Sequence, residues 1–271
     1  MELTNFASLI GSVKPVGDTG HYRARITEDW LQGRAAFGGL VAGIAVEAMR
    51  LSIGRERPLR ALLTSFVGPA APGDCEVECQ VLRSGKSVTW VEAKVIQAGQ
   101  VCTTFSAAFG GSRESSISVP AAPRPESVPP EESREFPFIE NMTPAFTQHF
   151  DMYWAIGNFP MTGSKESEMG AWVRFRDPAD FAEAHIVALM DLLPPAVLQM
   201  QSEFKPISSL SWHLEMLDDL SADDAVDGEG WWFFHVYARG AADGYSQQNA
   251  TLYTPSGRAL AMSQQAIAVF A

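Results

Sequence analysis

Apolar positions along the chain follow two spacings, and the change from one to the other falls at Gly and Pro. GHYRARIT (20–27) alternates apolar and polar residues as a short strand does. Residues 30–39 are rich in small side chains and predict a turn. GGLVAGIAVEAMRLSI (38–53) then carries apolar residues at helical spacing. Four segments enriched in β-branched and aromatic residues follow: LRALLTSFVG, DCEVECQVLRSG, SVTWVEAKVIQAG and QVCTTFSAAFG. Pro-Gly or Gly turns separate them, which predicts strand, helix, then four strands. From 110 to 137 the periodicity fades into Ser, Pro, Glu and Arg, the composition of a semi-rigid linker.

Beyond the linker the order returns. GAWVRFR predicts a strand, AEAHIVALMD and PAVLQMQSEF helical stretches, and SSLSWHLEML, GWWFFHVYARG, SQQNATLYT and RALAMSQQAIAVF further strands. The ends correspond best: SGKSVTWVEAKVIQAGQVCTTFSAAF runs parallel to DGYSQQNATLYTPSGRALAMSQQAIAVF. One unit repeated twice explains an α+β chain whose strands do not alternate with helices. The expected division is 1–110, a linker at 111–140, and 141–271. Gly39 and Gly43 lie on one face of the first helix, where missing side chains would let helix and sheet approach closely.

Composition narrows the chemistry. A net charge of −12 repels phosphate backbones and anionic membranes, so neither nucleic acid nor a membrane is an expected partner. The first residues, MELTNFASLI, lack a basic stretch followed by an apolar one, and no run reaches the length of a spanning helix. A cytoplasmic protein is expected. Cys75, Cys79 and Cys102 show no metal-ligand spacing, so they read as thiols on strand faces, with no metal and no cofactor expected. No P-loop occurs, and residues 227–232 give only the G-x-G of a dinucleotide fingerprint.

Several short features in order resemble the TesB-like acyl-CoA thioesterases. In the first half these are Gly33, Phe37-Gly38-Gly39 opening the helix, Ser65-Phe66, Pro72-Gly73-Asp74, Leu82 to Ser87, and Thr103 to Phe109. In the second half, Met190-Asp191-Leu192-Leu193-Pro194 resembles the segment carrying the family's catalytic aspartate. Ser208-Ser209-Leu210 resembles the strand start bearing a threonine or serine, and Ser263-Gln264-Gln265 the last strand with its catalytic glutamine. Ser209 replaces the commoner threonine, and Ser211 stands where many members are acidic. The resemblance implies a double hotdog fold, each repeat having a long central helix on a curved antiparallel sheet. It also implies an acyl-CoA substrate and catalytic residues Asp191, Ser209 and Gln265. Phe37, Gly38, Gly39, Arg83 and Lys86 are the corresponding candidates for substrate binding.

Thioester hydrolysis needs an activated water and a donor for the developing oxyanion. Asp191 is the expected base, oriented by the Ser209 hydroxyl and the Gln265 amide, with amides receiving the oxyanion. The sequence places Asp191 just before a helix beginning near Pro194, at the positive end of that helix's dipole. The dipole would lower its pKa and burial would raise it. His213 would share a strand face with Ser209 but lie too far away for an easy hydrogen bond, and no G-x-S-x-G elbow is present. Trp231 to Phe234 fit a sheet core, whereas Phe146 to Phe159 could cover a cleft. The alternative to hydrolysis is a non-catalytic hotdog protein binding an acyl-CoA. Exposed sheet edges predict a homodimer or homotetramer.

Overall fold

The computed structural model describes residues 3–203, 205–220 and 230–270. The G-x-G at 227–232 lies largely outside the described residues, as does Phe204. Among the described residues, three α-helices, α1 (Phe6–Gly11), α2 (Gly38–Ile53) and α3 (Glu183–Leu189), lie against one antiparallel sheet. Its main strands in the first half are β1 (His21–Ile26), β2 (Leu59–Phe66), β3 (Gly73–Ser84), β4 (Val88–Gln97) and β5 (Gln100–Gly110). In the second half they are β6 (Phe150–Ile156), β7 (Glu168–Phe175), β8 (Ile207–Met216), β9 (Trp232–Ala242), β10 (Tyr245–Tyr253) and β11 (Ala259–Val269).

The spatial order is β1-β3-β4-β5-β2-β8-β11-β10-β9-β7-β6, with two-residue strands at Lys14–Pro15 and Arg134–Glu135 closing the edges. Read inward from the two sides, 1-3-4-5-2 and 7-9-10-11-8 are the same path. Each path takes its helix after its first strand. The halves join where β2 pairs with β8, in the register Leu62↔Leu214, Thr64↔Trp212 and Ser65↔Ser211. Leu62, Thr64, Trp212 and Leu214 all face the buried side.

Hydrophobic burial explains α2. Leu40, Val41, Ile44, Ala45, Ala48 and Met49 of α2 are buried against Val77, Val91, Val95 and Phe109 of the sheet. The helix of the second half departs from the expected long element. α3 spans 7 residues, and after it comes only a 3-10 turn at Ala196–Met200. Pro194 and Pro195 keep the two segments from joining into one helix: neither has an N–H to extend a helix, and each pushes its predecessor toward extended backbone.

The small residues of α2 also act differently from the expected helix–sheet contact. A Cβ on Gly39 would lie 2.9 Å from the Ala188 Cα, and one on Gly43 would lie 2.9 Å from the Phe6 ring. These glycines admit α3 and α1, so they serve helix–helix packing. No periodic signal marked α1, where Asn5 accepts the Ser8 N–H and Phe6, Leu9 and Ile10 are buried. Strand β6 was likewise missed, because its aromatic residues suggested a cover and instead pair along β7.

The linker is anchored on the outer face of the second half. Arg124 stacks over Trp172 at 4.5 Å, Trp172 Nε1 donates to the Val128 carbonyl at 2.8 Å, and Tyr253 donates to the Pro123 carbonyl. Alternation in β9 therefore splits the aromatic run: Trp232 and Phe234 join the main core, and Phe233 joins Trp172 and Tyr253 on the outer face.

One buried ion pair ties the halves together. Arg50 on α2 meets both carboxylate oxygens of Glu183 at 2.7 Å, and Glu183 also accepts the Leu59 N–H. The guanidinium lies over the Phe109 ring at 4.4 Å. Removing one partner strands a buried charge, so Glu183→Ala is expected to cost about 3–5 kcal/mol of unfolding free energy in urea denaturation. A loss below about 1 kcal/mol would contradict this role.

Candidate active site

Asp191 follows Met190, the residue that caps the C-terminal end of α3, and its own N–H is bonded back to the Ala188 carbonyl at 3.2 Å. The helix end therefore fixes the backbone from which its carboxyl projects. That carboxyl does not sit on a helix beginning at Pro194. It lies instead against the first turn of α2, in the other half of the chain. The Gly39 N–H lies near enough to pull its pKa down, and a Cβ on Gly38 would come within 2.6 Å of Oδ2. First-turn N–H groups have no acceptor within their helix, so this terminus offers donors and a positive dipole to an anion. Burial nevertheless outweighs these contacts. It pushes the Asp191 pKa up from 3.8 to about 7, against the lowering pull of the Gly39 and Gln265 hydrogen bonds.

The other two candidates reach the same place across adjacent strands. Gln265 on β11 faces inward and is 9% exposed; its Nε2 lies 2.8 Å from Ser209 Oγ and 3.4 Å from Asp191 Oδ1. Strict alternation along β8 would put Ser209 on the side opposite Trp212, the register partner of Gln265. A bulge between Ser209 and Ser211 adds one residue, so Ser209 pairs with inward-facing Ile267 and joins Gln265 on the buried face. The same bulge separates it from His213, which pairs with outward-facing Gln264, contrary to the expected shared face.

Sequence reasoning missed one member. Gln248 on β10 is 6% exposed and pairs in register with Gln265. Its Nε2 donates to Gln265 Oε1 at 2.7 Å, and its own Oε1 accepts the Ala196 N–H at 2.9 Å. The available signal was the repeated Gln-Gln: in both 247–248 and 264–265 the second glutamine takes the inward position.

The remaining candidates separate. Gly38 and Gly39 border Asp191, while Phe37 is fully buried and stacks on Phe146 at 4.1 Å, in the core beneath the α2 terminus. Arg83 and Lys86 are exposed at the β3–β4 turn. Registers place that turn beside the Leu59 end of β2, and Asp191 lies by Phe66 at the other end. The structure does not bring these two cations to Asp191. Burial pushes the Cys75 and Cys79 thiols up to about 12, which keeps both protonated.

An antiparallel sheet packed on a central helix places the chain among hotdog-fold proteins. A conserved protein of unknown function with hot dog fold from Alicyclobacillus acidocaldarius matches it with a TM-score of 0.86 and 22% identity, covering 99% of each chain. Acyl-CoA thioesterase II TesB2 from Mycobacterium marinum matches at 0.78 and 17% identity, covering 97% of each. A TesB protein of Mycobacterium avium subsp. paratuberculosis matches at 0.77 and 12% identity, covering 97% of this chain and 99% of its own. At these identities the likeness establishes the fold.

Sequence similarity supplies the family. Residues 26–110 match the acyl-CoA thioesterase N-terminal domain, and residues 125–269 match the acyl-CoA thioesterase C-terminal domain. The chain belongs to the acyl-CoA thioesterase family and is a thioester hydrolase. No curated protein sequence matches it significantly.

The raised pKa of Asp191 has a consequence for stability. The folded value lies above the unfolded one, so folding favours the protonated carboxyl. The contribution of Asp191 to stability is therefore greatest below about 3.8, declines as pH rises, and levels off above about 7. Asp191→Asn removes that decline. Its stability relative to the native chain should rise by about 2–3 kcal/mol between pH 5 and pH 8 in urea titrations. An unchanged difference at the two pH values would contradict the buried, reluctant carboxylate.

Proposed function

We propose that the chain hydrolyses acyl-CoA thioesters by general-base catalysis at Asp191, with Ser209 and Gln265 orienting the attacking water. The observation that carries this reading is a single amide, Gln265 Nε2, within reach of both Ser209 Oγ and Asp191 Oδ1 at the α2 terminus. A base with a pKa of about 7 suits proton transfer at neutral pH. Its carboxylate accepts a proton from water as the water oxygen bonds to the thioester carbon. Oxyanion charge is received by amides, among them those of the α2 first turn. Collapse breaks the C–S bond, the proton passes to the leaving CoA thiolate, and the free acid is released.

The repeated strand path and the two family domains support a double hotdog with repeats at 1–110 and 141–271 joined by the 111–140 linker. The second repeat carries its shortened helix within that plan. The proposed site of action is the cytoplasm; no described helix is long and apolar enough to cross a membrane. A homodimer or homotetramer completes the proposal. The two-residue outer strands, one ending in Pro15, favour association through sheet faces over edges.

A coupled thiol-release assay over acetyl, medium-chain, long-chain and aromatic CoA esters tests the activity. The native chain should release CoA from at least one class, with a rate rising through pH of about 7. Asp191→Asn should lower kcat by at least about a thousandfold while remaining folded. Undiminished turnover in that variant would sink the assignment of the base. Binding of an ester without release by the native chain would instead support the non-catalytic alternative.

A further inference from the structure

We infer that Gln248 is a positioning residue that sets which end of the Gln265 carboxamide faces Asp191 and Ser209. The inference rests on reading those three residues as the hydrolytic site. An amide side chain can present either its oxygen or its nitrogen, and the two ends have opposite effects on a neighbouring carboxylate. Something must choose between them. Here the choice is traceable to a backbone group that can only donate.

Ala196 opens the 3-10 turn at Ala196–Met200, and its N–H points to Gln248 at 2.9 Å. A donor must meet an acceptor, so that arm of Gln248 is Oε1. The other arm is then Nε2, which donates to Gln265 at 2.7 Å, so the facing arm of Gln265 is its Oε1. Gln265 is left presenting Nε2 to Ser209 Oγ and Asp191 Oδ1. Reversing Gln265 alone would set two NH2 groups against each other and turn a carbonyl oxygen toward the carboxylate. Gln248 and Gln265 are 6% and 9% exposed, so water offers little substitute for either contact. One direction of donation therefore runs from a backbone N–H through two carboxamides to the base.

Two variants of the full-length protein separate positioning from structural support. Gln248→Met keeps the length of the side chain and removes both hydrogen bonds. Gln248→Glu, once ionised, can accept from Ala196 and also from Gln265 Nε2, which inverts the Gln265 amide. For each, kcat, KM and the acid limb of the kcat/KM profile are measured on a CoA ester that the native chain cleaves, with thermal unfolding as the check on folding. We expect Gln248→Met to lower kcat about tenfold with little change in KM. Inversion in Gln248→Glu deletes a placed donor and should lower kcat about a hundredfold. Its acid limb should also move to higher pH, because a carbonyl oxygen then faces the Asp191 carboxylate.

Folded variants with native kcat and an unmoved acid limb would overturn the inference. So would a lower unfolding temperature and lower kcat with the acid limb unmoved in Gln248→Glu, the pattern of simple structural support. Asp191→Asn measured alongside distinguishes the two levels. Turnover surviving in that variant overturns the reading of the site together with this inference. Its loss, with Gln248 variants behaving like the native chain, overturns the role of Gln248 alone.

Discussion

The close seating of the Asp191 carboxyl on the first turn of α2 is the constraint on which the site depends. A Cβ on Gly38 would stand 2.6 Å from Oδ2, and a Cβ on Gly39 would stand 2.9 Å from the Ala188 Cα. Only glycine leaves room for both the carboxyl and the end of α3. The same closeness removes water from the carboxyl and raises its pKa to about 7. Access to donors and loss of solvent thus arise from one contact, and that contact spans the two halves of the chain.

Departures from internal symmetry build the rest. A row of paired inward positions crosses the sheet as Ala93, Phe105, Thr64, Trp212, Gln265 and Gln248. Its two halves meet between Thr64 and Trp212. Gln265 and Gln248 in the second half therefore correspond to Phe105 and Ala93 in the first, where no amide chain can form. In the same way, the unbroken α2 corresponds to a helical segment that ends at Leu189, freeing Asp191 to turn toward α2. The bulge at Leu210 adds Ser209 to this face. A common framework has become polar on one side only.

Most of the framework was legible in the sequence, because strand alternation, Gly and Pro punctuation and the helical spacing of 38–53 are local signals. The duplicated order was legible for the same reason. Asp191, Ser209 and Gln265 stood out only through their combined resemblance to a family pattern, since each alone is an ordinary cap, strand start or strand residue. What was hidden depends on contacts distant in sequence. Which helix faces Asp191, which sheet face holds Ser209, and whether burial or hydrogen bonding sets the pKa follow from packing between halves. The shortness of α3 was readable in principle from Pro194 and Pro195, but apolar residues on both sides concealed the break. Gln248 was hidden because its partner lies on the neighbouring strand.

The most direct test of a site shared between halves is the steady-state kinetics of Gly38→Ala on a cleaved CoA ester, with thermal unfolding measured in parallel. Alanine favours a helix more than glycine does, so the fold should persist. Its methyl group must nevertheless displace the Asp191 carboxyl, and displacement of about 1 Å is expected to lower kcat about a hundredfold. A folded variant with native kcat would contradict the account.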